Sequence, residues 1–156
     1  MRTLAHSRFL LVASPGLVER SPALETVEDI RQLPTISMNE EANEDSWTLT
    51  GPEGVETQIV HAPRLSSSDF GVLLEAAIDG VGLAFLPDTV CAEAIRSGQL
   101  VHLLPDYFSP VGTVHLVFAS RRGLLPAVRV VIDFLVESFK GEMSDASWPG
   151  EQTAKP

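Results

Sequence analysis

Three consecutive hydroxyls and a carboxylate, Ser66-Ser67-Ser68-Asp69, stand directly before an apolar segment that begins at Phe70. That order suits the start of a helix, where either Ser68 or Asp69 accepts from the first free amides as the N-cap. A cap uses one side chain. The remaining hydroxyls face solvent or a ligand held at the positive end of the helix. A second candidate for chemistry is the pair Gly80 and Gly82 in "AAIDGVGLAFLPDTV". Dinucleotide binding needs such glycines after a strand and before a helix, so that free amides meet the phosphates. Here they follow a helix and precede a strand, with no third glycine at the right spacing. They read as a helix stop and a tight entry into a strand.

The other reactive side chains form no pattern. His6, His61, His102 and His115 are scattered, without an HExxH or any close pairing, and His102 and His115 fall in strands, where a packed or edge histidine is the expected state. No G-x-S-x-G elbow presents a nucleophile. Ser14, ahead of Pro15, would be one only if a histidine approached it in space. The acids of "NEEANED", residues 39–45, lack the glycine and alternating spacing of a calcium loop and read as solvated. Cys91 is the single cysteine, which excludes an internal disulfide and a Cys-rich zinc site. No cofactor or metal is implied.

The elements that hold these residues alternate between strand and helix. "RFLLVA" reads as a buried strand ended by Ser14-Pro15, and "PGLVERSP" as a short helix or turn. Thr26 and Asp29 stand at capping-box spacing and open a helix that stops before Pro34, after which "PTISM" is a brief strand. "SWTLTGPEGVETQIVHAPRL" alternates around Gly51-Pro52-Glu53-Gly54 and is a hairpin. A helix runs from about Phe70 to Asp79, with Gly80 as its left-handed terminus. Leu83–Leu86 is a strand, Asp88 caps a helix that ends at Gly98, and "QLVHLL" and "GTVHLVFAS" are strands. Pro126 opens a last helix so apolar that only Arg129, Asp133 and Glu137 stay polar, and it needs a large partner surface. Residues 141–156 have no period and are expected to be a disordered tail. The fold class is α/β with a mixed sheet.

The chain has 156 residues, 44% of them hydrophobic, enough for one domain with a real core. Its formal charge is −10, from 11 basic and 21 acidic residues, so direct contact with DNA or RNA is disfavoured. Phe9–Ala13 is too short for a convincing secretory signal, and no run approaches membrane-spanning length. The expected location is the cytoplasm.

In succession, "RFLLVASPGLVER", "TVEDIRQLPTISMN", "SSSDFGVLLEAAIDGVGLAFLPDTVCAEAIRSGQLVHLLPDYFSP" and "VHLVFASRRGLLPAVRVVIDFLVESF" resemble the effector-binding region of LysR-type transcriptional regulators over about residues 2–140. The resemblance implies a type 2 periplasmic-binding-protein-like fold, with one complete lobe plus the crossover strands and C-terminal helix of the other. By that likeness residues 8–14 and 114–120 are the crossovers, 15–113 the second lobe and 121–140 the returning helix of the first. Family members carry a winged helix-turn-helix ahead of this region, so the chain reads as an N-terminally truncated regulator that meets DNA only through that domain.

The implied function is sensing of a small-molecule effector, a carboxylate-bearing metabolite, by a homo-oligomer that is neither an enzyme nor a membrane protein. In this fold the ligand meets strand ends and a helix start, which selects Ser14, Ser37, Ser67 and Ser68 as effector-binding residues and leaves Asp69, which would repel an anion, as the cap. Two competitors remain. A solute-binding protein of the same fold predicts a signal peptide and a complete first lobe, and a small hydrolase using Ser14 or Ser67 predicts an assembled triad.

Overall fold

The computed structural model describes residues 2–40, 43–117 and 126–145. In chain order the elements are β1 (Arg2–Ser7), β2 (Phe9–Ala13), α1 (Pro15–Glu19), a 3-10 helix (Val27–Gln32), β3 (Thr35–Ser37), β4 (Asp45–Thr50), a 3-10 turn (Pro52–Gly54) and β5 (Glu56–His61). There follow β6 (Leu65–Ser66), α2 (Phe70–Ile78), β7 (Leu83–Pro87), α3 (Asp88–Arg96), β8 (Val101–Leu103), β9 (Gly112–Leu116) and α4 (Pro126–Asp145). They fall into two units. Arg8–Val111 form the larger, and Met1–Ser7 with Gly112–Pro156 the smaller.

The larger unit is built on a five-stranded sheet in the order β6-β3-β7-β2-β8. β6, β3 and β7 run parallel, and β2 runs antiparallel to both of its neighbours, β7 and β8. Side chains alternate across a strand, so β2 and β7 each feed two cores. Leu10, Val12, Ala84 and Leu86 face the layer of α2 and α3, where Leu73, Ala77, Cys91 and Ala94 are buried against them. Leu11 and Leu83 face the other way, onto Val27 and Ile30 of the 3-10 helix and Trp47, Leu49 and Ile59 of the β4–β5 hairpin. The sheet is therefore covered on both faces, which is why its strands read as continuous apolar runs.

Both glycines of the G-V-G stretch have structural duties. Gly80 has φ +74°, the left-handed conformation that ends α2. Gly82 lies against β3, and a Cβ there would stand 2.9 Å from the Pro34 carbonyl oxygen and 3.0 Å from the Thr35 carbonyl carbon. The thiol of Cys91 donates to the Pro87 carbonyl at 3.2 Å, and burial pushes its pKa up to about 12, so it is not a nucleophile at neutral pH.

In the smaller unit β1 pairs antiparallel with β9, from Arg2 opposite Leu116 to Ser7 opposite Gly112, with a shift in register between Thr3 and Ala5. α4 packs on β1 and buries Ile132 and Val136.

Several expectations shift in detail. The strand at Arg2–Ser7 is additional. The Thr26 helix is of the 3-10 type; its capping box forms, Asp29 accepting from the Thr26 amide at 2.8 Å and the Thr26 hydroxyl at 2.9 Å. Asp88 is the first residue of α3 and Pro87 its cap: the Asp88 carboxylate accepts from the Thr89 amide at 2.7 Å from a position already inside the helix. α4 continues to Asp145 rather than ending near residue 140, because one glycine in a run of good helix formers costs only about 1 kcal/mol. Phe9–Ala13, assigned by resemblance to a crossover, lies within the five-stranded sheet. Residues 118–125, which include parts of the second expected crossover and of the returning helix, lie outside the described residues, as does the tail beyond Asp145.

Candidate functional site

Because β3, β6 and β7 are parallel, their carboxyl ends share one edge of the sheet: Ser37, Ser66 and Pro87 end there. In open α/β sheets that edge is where ligands bind. The chain leaves β6 at this edge and turns into α2, and the turn is tied to β3 by the Ser67 amide, which donates to the Ser37 carbonyl at 3.0 Å. Asp69 is the N-cap of α2. Its Oδ1 accepts from the amides of Gly71 at 2.7 Å and Val72 at 3.3 Å.

Ser67 is half-buried, and its Oγ accepts from the Asp69 amide at 3.2 Å, which leaves the hydroxyl hydrogen to donate outward. Ser68 is exposed. Its amide donates to Oε1 of Glu40 at 2.5 Å. Ser37 is buried; its hydroxyl donates to Oδ2 of Asp45 and accepts from the Asn39 amide at 3.1 Å. Ser37, Ser67 and Ser68 are thus brought together. Ser14 is not. Strand β2 runs against β7, so its carboxyl end lies at the opposite edge, beside Gly80, where Ser14 caps α1 by accepting from the Leu17 amide at 3.3 Å.

Sequence reasoning missed two groups at this edge. Glu40 and Asp45 belong to the acidic stretch read as solvated, yet both carboxylates are held, by the Ser68 amide and the Ser37 hydroxyl. Beneath them, Asp45 is the cross-strand partner of His61. The His61 ring is buried at 6% exposure, bonded through Nδ1 to the Thr35 hydroxyl at 2.7 Å and packed on Trp47 with 4.0 Å between ring centroids. Its Nε2 is buried without a partner. The only advance signal was the alternation of the hairpin, which puts Trp47, Ile59 and His61 on one face. His61 bonds to Thr35, itself buried, and not to Ser14 or Ser67, so the hydrolase constellation does not assemble around it.

Burial lowers the pKa of His61 from its ordinary 6.5 against an opposing pull from the Asp45 charge; burial lowers that of His102 as well. The folded state therefore favours neutral rings, and unfolding takes up protons in acid. Their contribution to stability is complete above about pH 6.5 and is lost as pH falls through the lowered folded values. Urea midpoints should be level above neutrality and decline below it. The His61→Gln variant should flatten that decline by up to about 1.4 kcal/mol per pH unit, one proton's worth. An identical acid slope in the variant would remove His61 from the effect.

A covered α/β sheet with polar strand ends gathered at its carboxyl edge is the arrangement of the type 2 periplasmic-binding-protein-like fold. Residues 1–140 match the LysR substrate binding domain, and the chain belongs to that family. Among curated relatives, the HTH-type transcriptional regulator DmlR of Escherichia coli (strain K12) is 32% identical over 139 residues, covering 88% of this chain and 45% of its own. The HTH-type transcriptional regulator CrgA of Neisseria meningitidis serogroup C (strain 8013) is 26% identical, with 87% and 45% covered. The chain thus spans about half the length of these regulators. The structure of the regulatory domain of an AphB variant from Vibrio vulnificus superposes with a TM-score of 0.76 at 26% identity, covering 87% of this chain and 68% of that one. Among the described residues no helix is long and apolar enough to cross a membrane.

Proposed function

We propose that the chain is the effector-sensing part of a LysR-type bacterial transcriptional regulator that acts in the cytoplasm as a homo-oligomer, contacts DNA only through the helix-turn-helix domain of the full-length protein, and catalyses no reaction. Within it, Arg8–Val111 correspond to the second lobe, and Arg2–Ser7 with Gly112–Leu116 to strands of the first. The effector binds at the carboxyl edge of the sheet through the hydroxyls of Ser67 and Ser68 and the start of α2, with Ser37 behind them as a support. Asp69 is the cap. Ser14 keeps its own capping role at the other edge.

One observation carries the choice of a carboxylate-bearing metabolite: the Ser68 amide already holds a carboxylate, that of Glu40 at 2.5 Å. The same donor, with the Ser67 hydroxyl and the dipole of α2 beside it, suits the carboxylate of a small ligand that displaces Glu40. The bound ligand then acts by its difference in affinity for two states of the regulator.

A panel of small mono- and dicarboxylates screened by thermal shift, followed by calorimetry on the hits, tests this directly. Binding should weaken at least about tenfold in Ser67→Ala/Ser68→Ala, the loss of one hydrogen bond to a charged group. In Glu40→Gln, which removes the internal competitor, it should tighten. Asp69→Ala should mainly lower stability, by about 1 kcal/mol. A hit whose affinity ignores both the double serine variant and Glu40→Gln moves the site elsewhere.

A further inference from the structure

Helix α4 has two apolar faces. Ile132 and Val136 are buried in the smaller unit, while Val130, Val131 and Phe134 are 68%, 55% and 67% exposed. At about 100° per residue, these three and Ala127 fall within an arc of about 100° whose centre lies nearly opposite that of Ile132 and Val136. An outward stripe of this kind, on a helix whose other face is already covered, is an interaction surface.

Charge indicates what covers it. The smaller unit, residues 1–7 and 112–156, holds six basic and five acidic residues, whereas residues 8–111 hold five basic and sixteen acidic. Two copies of this chain therefore repel each other through their larger units and meet almost without penalty through their smaller ones. Along one flank of the stripe stand Arg129, Asp133 and Glu137, spaced four residues apart. A parallel pairing of two such helices sets each of these against its own like. An antiparallel pairing sets Arg129 of each copy against Glu137 of the other, with Asp133 meeting its counterpart at the two-fold axis. The symmetric antiparallel arrangement is thus the one that the charges favour.

We propose that two copies of the chain associate through the outer face of α4, antiparallel, with Val130, Val131 and Phe134 in the seam and Arg129–Glu137 pairs closing its flank. The association rests on the smaller unit alone and stands whether or not the effector site lies at the serine edge.

Sedimentation equilibrium on the full chain tests it, with circular dichroism to confirm unchanged helix content in each variant. A reversible monomer–dimer equilibrium is expected below about 100 μM. Phe134→Glu and, separately, Val130→Gln should raise the dissociation constant, the former at least about tenfold. Arg129→Glu should weaken the dimer and the double exchange Arg129→Glu/Glu137→Arg should restore it, while Asp133→Asn should strengthen it. A chain that stays monomeric throughout, a dimer indifferent to Phe134→Glu, or a double exchange weaker than either single change overturns the proposal.

Discussion

Leu11→Ala lowers the unfolding free energy by about 3–4 kcal/mol, within the range of buried leucine truncations. Leu11 is fully buried at the middle of β2, with Phe85 of β7 opposite it on one side and Leu103 of β8 on the other. Its side chain fills the core between the sheet and the layer that carries Ile30, Trp47 and Leu49. Neighbouring strands hold the backbone on both sides, so the void left by the missing carbons cannot close by a shift of β2. Urea unfolding followed by tryptophan fluorescence, which reports through Trp47, reads the loss. A cost under about 1.5 kcal/mol would mean that the hairpin collapses into the space.

Gly82→Ala should cost about 2–3 kcal/mol although it adds a single carbon. The new Cβ would meet backbone, the Pro34 carbonyl at 2.9 Å and the Thr35 carbonyl carbon at 3.0 Å, and backbone cannot rotate away. It would also press on the bond that starts the parallel pairing, from the Leu83 amide to the Pro34 carbonyl at 2.8 Å. Gly80→Ala meets the tips of Arg20 and Ser14, which can move, but must hold φ +74°, at a cost of about 1–2 kcal/mol. Gly98 has φ +77° and open space around it, so Gly98→Ala should cost the least of the three, about 1 kcal/mol. Thermal midpoints should fall in that order, and a Gly82→Ala protein as stable as Gly98→Ala would show that β3 gives way.

Most of the larger unit was legible because its elements are punctuated. Pro15, Pro34, the Gly51–Gly54 turn, Gly80 and Gly98 bracket runs whose apolar content has a clear period, and those runs form the strands and helices that they suggest. Arg2–Ser7 was not legible: Thr3, Ala5 and Ser7 alternate with Leu4 and His6, a weak pattern made into a strand by a partner more than a hundred residues away. The candidate site was legible where it depended on a cap, since Asp69 before Phe70 is a local signal. Ser14 illustrates what a local signal omits. Its position at a strand end was read correctly, but which edge of the sheet that end occupies depends on β2 running antiparallel to β7, and strand direction leaves no trace in side-chain alternation. Glu40 and Asp45 were lost for the opposite reason. Acids in a polar stretch look solvated until a serine two elements away supplies a donor.

The hydrogen bond from the Phe9 amide to the Ser109 hydroxyl, 2.7 Å, joins residues a hundred positions apart, and the same proximity governs the order in which the molecule assembles. Pairing Arg2 with Leu116 in an unfolded chain means closing a very long loop, an entropic toll that rises with its length. Once residues 8–111 have folded, their two ends already adjoin, and the strands that continue from them start only a short search apart. Late formation of the β1–β9 ladder is therefore a kinetic property of the topology: its amides acquire protection only after those of the five-stranded sheet, and they surrender it first.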